Sequence, residues 1–442
     1  MKKKQTRHSS DPAVIGTLRI LGLAILLAGA GSRAQSVTLP TQPEPTPPKA
    51  DESAATTLRT SAGGDRIELI ESLRNEARAA IARGIQWLHA QQQEQGSWSN
   101  PMFPALTGLP VWALAQSGET DSESVRRALA YLRAQARDNG AIFVEPKEAI
   151  KGGGLSSYNT AICMVALHLA GHAEDVPLVQ RARAFMARSQ HLGGDVYRGG
   201  FGYDPQTDRA YTDLSNSYIA FEAMRMTESV EDLRKAGEER VDLNWAAARD
   251  FLQKTQNDPA VNPQPWATSD PNERGGFAYH PEQTRAGTFT DADGVVRFRS
   301  QAGMTYAGLL SYIYAEVDRN DPRVEATINW VVRNWALDAD APAAGNPARP
   351  DVRVDPEGLY YQYNVMAKGL AAYGREVFRP ADRAPFNWRV ELIEKLLRLQ
   401  KTDPQTGGGY WINDVGRYWE SDPVLVTSYA LIALQIALGP DA

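Results

Sequence analysis

Two carboxylates in this 442-residue chain stand where acid chemistry would need them. Glu222 falls midway along LSNSYIAFEAM, a run too apolar for a solvent-facing helix, where an unpaired charge is costly. It is expected either to pair with a charge on a neighbouring apolar helix, for which Lys368 is a candidate, or to point into a wet cavity. Asp213 opens the same run three residues before Asn216, a place that suits a helix N-cap as well as a catalytic acid. Asp213 and Glu222 are therefore the candidate catalytic residues.

A second set concerns binding. Asn159, Asn216, Thr305 and Asn364, with Thr107 and Thr427, stand near the starts of comparably apolar segments and are taken as equivalent positions. Polar side chains there cap helix ends, whose first N–H groups lack partners. They could also form a polar floor for a ligand, with positive helix N-termini able to hold an anionic group. Tyr158, Tyr363 and Trp112 lie beside them and complete the candidate ligand-binding set. Trp266, Trp411 and Trp419 are read as exposed aromatics, which would suit neutral sugars.

Metal chemistry finds little support. Cys163 is the only cysteine, so no intramolecular disulfide or multi-cysteine site can form. His168 is five residues on, about 140° around a helix, so the two would not share a face. Asp291 and Asp293 fall in TFTDADGVVRFR, whose alternation around Asp293–Gly294 predicts a β-hairpin rather than a calcium loop. No metal and no cofactor is expected.

The positioning elements repeat. Six times a helix carrying a large apolar residue four positions before Gln or Asn leads into a glycine–aromatic turn, and then a more apolar helix follows. The pairs are Trp87–Gln91, Tyr131–Gln135, Met186–Gln190, Leu252–Gln256, Trp330–Asn334 and Leu396–Gln400. The first helix of each pair has a charged face, as in ELIEKLLRLQ. The second is apolar nearly all round, as in LVTSYALIALQIALG, and must be buried on most sides. An inner ring of such helices inside an amphipathic outer ring buries both sets. The expected fold is all-α: an α/α toroid of about six helix hairpins with a small β-hairpin insertion, over residues 65–442.

The first residues point to export. Lys2, Lys3, Lys4 and Arg7 precede a short apolar run from Ile20 to Ala30, with small residues at Ser32 and Ala34, the pattern of a signal peptide over 1–34. The run is short for a membrane span of roughly 20 residues, although an uncleaved anchor remains an alternative. Residues 35–64, rich in Pro, Thr and Ser, cannot bury enough surface to fold and are expected to be a disordered linker. The expected location is the periplasm or the extracellular space, with membrane contact only if the signal is uncleaved. Cleavage would remove six basic side chains and one acid, taking the formal charge from −6 to −11. So acidic a surface repels phosphate backbones, which excludes nucleic acid as a partner.

Arg83-Gly84, Trp87, Gln91 and Gly96-Ser97-Trp98 closely resemble the QW repeat of squalene and hopene cyclases. The whole of 75–438 is similar to the prenyltransferase/squalene oxidase repeat superfamily. Asp213-Leu214-Ser215-Asn216-Ser217 resembles a helix start in uncharacterised secreted bacterial members, and the stretches around Met304–Ala307 and Tyr360–Tyr363 resemble other segments of that group. The resemblance implies the toroid but not one activity. The Asp-x-Asp-Asp acid of the cyclases is absent from the sequence. Ala161 stands where a zinc prenyltransferase would need Asp before Cys163. The expected function is therefore binding, of an apolar or isoprenoid-like ligand or of an envelope protein. The alternative is an enzyme acting on an isoprenoid-like or carbohydrate substrate in the toroid cavity.

Overall fold

The computed structural model describes residues 69–147, 154–205, 211–338, 356–381 and 383–439. The expected signal peptide 1–34 and linker 35–64 lie outside them. Twelve α-helices occupy the described residues in strict alternation. The outer ones are α1 (Glu71–Gln91), α3 (Glu123–Ala134), α5 (Val176–Ser189), α7 (Trp245–Thr255), α9 (Pro322–Arg333) and α11 (Trp388–Leu399). The inner ones are α2 (Ala105–Gln116), α4 (Ser156–Ala170), α6 (Leu214–Met226), α8 (Ala302–Tyr314), α10 (Leu359–Tyr373) and α12 (Pro423–Leu438). Each inner helix packs on the next, and α12 returns to pack on α2, so the ring is closed. The fold is an α/α toroid of six hairpins.

Residue patterning explains the two rings. On α3 only Val125, Ala128, Leu129 and Leu132 are buried, one stripe at helical spacing. Each wholly buried Leu there contributes roughly 1.5–3 kcal/mol. On α12 nearly every residue from Val424 to Leu438 is buried, because neighbours cover it on both sides and an outer helix behind. The expected hairpin is present: β1 (Thr288–Thr290) pairs antiparallel with β2 (Val296–Phe298), and the turn is held by the Asp291 carboxylate, which accepts from the Asp293 and Val295 amides and from Arg297. Two short antiparallel pairs complete the β content among the described residues, β3 (Val377–Phe378) with β4 (Phe386–Asn387) and β5 (Lys401–Thr402) with β6 (Gly409–Tyr410).

The repeat turn has one recurring geometry. The N–H of the residue two places after a turn glycine is accepted by a hydroxyl on the following inner helix: Trp98 by Thr107, Ile142 by Thr160, Phe201 by Ser217, Phe277 by Thr305 and Trp411 by Thr427. The Trp98 and Trp411 indoles also donate to the carbonyls of Leu88 and Leu396 on the preceding outer helices. Repeat glutamines tie neighbouring outer helices. The Gln190 amide donates to the carbonyl of Asn244 at the head of α7, and Gln256 to that of Arg323 at the head of α9. Gly199 and Gly275 are required, since each has positive φ and a Cβ there would meet the Ala247 or Ala326 carbonyl at 2.0 Å or less.

This geometry corrects the expected register in two places. Leu88 and Gln92, not Trp87 and Gln91, match Leu396 and Gln400, because Gln92 makes the interhelix bond, to the Ser124 carbonyl. In the inner ring, Thr107, Thr305 and Thr427 align with Thr160 and Ser217. Asn159 and Asn216 stand one residue earlier, so the six Asn and Thr side chains do not form one ring of equivalent positions.

Candidate functional site

The first turns of all six inner helices meet around a cavity of about 460 Å³ at one mouth of the toroid. Its walls are largely aromatic and aliphatic. Tyr158 comes from α4, Tyr361 from α10 and Tyr429 from α12, while Leu109, Ile219 and Met304 come from α2, α6 and α8. Loops add Phe103, Tyr203, Tyr279, Arg285, Tyr418, Trp419 and Glu420. The Tyr158 and Tyr429 hydroxyls lie 3.2 Å apart, and Tyr361 stands edge-on to Tyr429 and to Tyr218. Burial raises the Tyr158, Tyr361 and Tyr429 phenols, so they remain neutral hydrogen-bonding groups.

Glu420 is 1% exposed. It takes the N–H groups of Tyr360 and Tyr361 at 3.3 and 2.8 Å and the Asn413 amide at 2.6 Å, and so serves the otherwise unpaired first turn of α10. Burial raises its carboxyl and these donors oppose the rise without cancelling it. Arg285 is exposed at the rim. Its guanidinium lies 3.8 Å from the Tyr279 ring centre and donates to the Tyr418 hydroxyl at 2.6 Å. Tyr418 and Trp419 have consecutive positive-φ backbones, and single positive-φ residues stand at Leu155 on the cavity wall and at Ser99, which shares a surface recess with Trp419. Such conformations cost non-glycine residues roughly 1–3 kcal/mol each and gather at functional sites. Around the mouth, Met102, Val415, Tyr418 and Trp419 are also exposed, and Trp419 packs edge-on against Phe103.

Of the candidate ligand-binding residues, Tyr158 and Asn159 line this cavity. Asn159 also accepts the Ala105 N–H and donates to the Gly154 carbonyl, which joins the starts of α2 and α4. Asn216 donates to Asp213, Asn364 donates to the Tyr429 carbonyl, and Thr305 accepts the Phe277 N–H. Tyr363 donates to the Leu337 carbonyl behind α10. Asn216 thus braces the start of its own helix, the other three tie neighbouring elements together, and none of the four lines the cavity.

Asp213 is wholly buried and accepts from the Ser215 hydroxyl and from both the backbone and the side-chain amide of Asn216. It is the N-cap of α6. Glu222, 3% exposed, accepts from Lys368 at 3.0 Å and from the Tyr314 hydroxyl at 3.1 Å. Lys368 in turn lies 4.0 Å from the Trp112 ring centre. Of the two expected settings for Glu222, pairing with Lys368 is the one found. Glu222 and Trp112 are one helical turn beyond the lining residues Ile219 and Leu109 on the same faces, so this cluster closes the cavity floor.

Among the described lining residues Glu420 is the one carboxylate and Arg285 the one cation. Three polar atoms of the lining find no protein partner: Gln301 Oε1, Gln362 Nε2 and the Tyr361 hydroxyl. The expected exposure of Trp266 and Trp411 is corrected. Trp266 stacks on Phe298 in a small core under the hairpin, and Trp411 is wholly buried by its repeat turn, which leaves Trp419 exposed. Cys163 is buried and its thiol is pushed up by burial. Among the described residues no group of three His, Cys, Asp or Glu side chains is placed to hold a metal. Sequence reading missed Arg285, Glu420 and Tyr418, whose loops carry no helical period.

No family model matches the chain, and no curated protein matches it. Solved structures do. An unliganded variant of the type II terpene cyclase MstE from Scytonema aligns at 13% identity over 84% of this chain and 99% of its own, with a TM-score of 0.48. A D-mannose isomerase aligns at 12% identity over 84% of this chain and 99% of its own, with a TM-score of 0.48. A protein from Actinoplanes aligns at 14% identity over 82% of this chain and 99% of its own, with a TM-score of 0.39. These are distant similarities, and the toroid is established by the closure of this chain's own inner ring.

Proposed function

We propose that this chain is an exported binding protein whose toroid mouth holds one largely apolar molecule. The observation that carries the reading is the aromatic cavity of about 460 Å³, open at the rim and closed below by the Glu222–Lys368 pair. That volume lies within the range of roughly 300–1,000 Å³ usual for small-molecule sites. Aromatic rings and aliphatic side chains make up most of the lining surface, which suits recognition by shape and apolar contact. Carbohydrate cleavage is less well supported, because it calls for two carboxylates roughly 5–10 Å apart and the described lining supplies Glu420 alone. Acid-initiated cyclisation is also poorly served, since Asp213 caps α6 and Glu222 is paired beneath the floor.

The test is native mass spectrometry with lipid extraction on protein secreted by a bacterial host, beside a Leu109→Trp variant that fills the cavity. Bound mass on the native protein and none on a folded Leu109→Trp variant would support the reading. Clean apo masses for both would sink it and move the search to envelope proteins at the loops. Export is tested on the same preparation: the mature N-terminus should be Gln35, recovered from the periplasm or medium.

A further inference from the structure

Resting on that binding reading, we infer that the mouth cavity selects an apolar molecule ending in a single carboxylate, its head held by Arg285 and the Gln362 amide. Three independent features converge on the head. Arg285 has no carboxylate partner among the described residues, and Tyr279 and Tyr418 fix its guanidinium at the rim. A guanidinium carries five N–H donors, and the bond to Tyr418 engages few of them. Gln362 is 2% exposed, lines the cavity, and its Nε2 has no partner, as does the neighbouring Tyr361 hydroxyl. A buried donor left unpaired is costly, and an acceptor on a ligand would remove that cost.

The helix ends add a field of the right sign. Of the six inner helices whose first turns meet here, α6, α10 and α12 are already served by Asp213, Glu420 and Asp422. Helices α4 and α8 begin without a side-chain cap, so their positive ends face the cavity unneutralised, and the first N–H of α2 meets only the neutral Asn159 amide oxygen. Charge sets the number of negative charges admitted. Arg285 and Glu420 are the charged lining residues, one of each sign, so one added anion is matched by Arg285. A diphosphate would place two or more negative charges beside buried Glu420 with no further cation. The planar fork of a carboxylate also matches the planar fork of Arg285.

Three probes with one tail separate the head from the cavity: farnesoate, farnesol and farnesyl diphosphate, titrated calorimetrically into the mature protein. Farnesoate should bind roughly tenfold more tightly than farnesol, the effect of one charge-assisted contact. Arg285→Gln should abolish that preference and leave farnesol unchanged. Gln362→Leu should weaken farnesoate several-fold and farnesol little. If farnesol or the diphosphate binds as tightly as farnesoate, or Arg285→Gln leaves the preference intact, the carboxylate inference is overturned and the apolar cavity stands. If no probe binds native protein or Leu109→Trp differently, the cavity reading falls as well.

Discussion

Lys368 Nζ lies 3.0 Å from Glu222 Oε2 at the centre of the inner ring, with both side chains less than a tenth exposed. The Tyr314 hydroxyl completes the carboxylate's bonding and the Trp112 ring covers the ammonium. Burial pulls the Lys368 amine below its usual value, and Glu222 works against that pull. Such a pair fixes the relative rotation of α6 and α10 and stops the mouth cavity from running through the toroid.

Breaking this pair from one side should be severe. Glu222→Gln leaves a buried ammonium without a counter-charge and is expected to cost about 3–5 kcal/mol in urea unfolding. The double variant Glu222→Leu/Lys368→Met should recover most of that loss, since it removes both desolvated charges. Additive losses in the double variant would show that the two residues do not interact.

A second buried pair gives a pH dependence. Arg183, wholly buried, donates to Glu231 at 2.8 Å and to the Thr227 hydroxyl at 2.9 Å. Burial would raise the Glu231 carboxyl, but donors from Arg234, the Val241 amide and Arg183 bring it below its usual value. A lowered carboxyl contributes stability above its unfolded value, about 4.3, and that stability is lost as pH falls through the lower folded value. Native protein should therefore lose stability steeply below about pH 4.3. Glu231→Gln should be about 3 kcal/mol less stable at pH 7 and should show a flatter slope in acid, read from urea midpoints between neutral pH and acid.

The fold was legible because its signals are periodic. The charged face of ELIEKLLRLQ and the all-apolar LVTSYALIALQIALG place α11 outside and α12 inside without reference to any contact. The register of the inner ring was less legible. Asn159 and Thr160, or Asn216 and Ser217, are adjacent polar residues of similar capping tendency, and only the N–H donated by Ile142 or Phe201 distinguishes them. The site was legible in part. Tyr158 and Asn159 sit on a helix and could be reached through its period. Arg285, Tyr418 and Glu420 lie on loops brought to the mouth by closure of the ring, a relationship no local pattern encodes.

That register makes a direct prediction at Thr305. Its hydroxyl accepts the wholly buried Phe277 N–H at 3.1 Å. Thr305→Val keeps the shape but leaves that N–H without an acceptor, and should cost about 1–3 kcal/mol in urea unfolding. Thr305→Ser, the residue type that does this work at Ser217, should stay close to native. A larger loss from Thr305→Ser than from Thr305→Val would mean that packing of the methyl, and not the hydrogen bond, holds the turn.

One change should make the protein more stable. Helix α8 ends in a Schellman motif: the Val317 N–H returns to the Tyr312 carbonyl and the Glu316 N–H to that of Ile313. Glu316 occupies the left-handed position with φ 58°, where a side chain crowds the backbone and glycine is preferred. Its side chain makes an ion pair with Arg225 at 3.2 Å, but it is 65% exposed, and such a pair is worth little. Relief of the backbone strain therefore outweighs the lost pair, and Glu316→Gly should raise stability by about 1 kcal/mol. Glu316→Ala, which loses the ion pair and keeps the strained conformation, separates the two effects. If glycine and alanine are equally destabilising in urea, the ion pair dominates and the strain argument fails at this position.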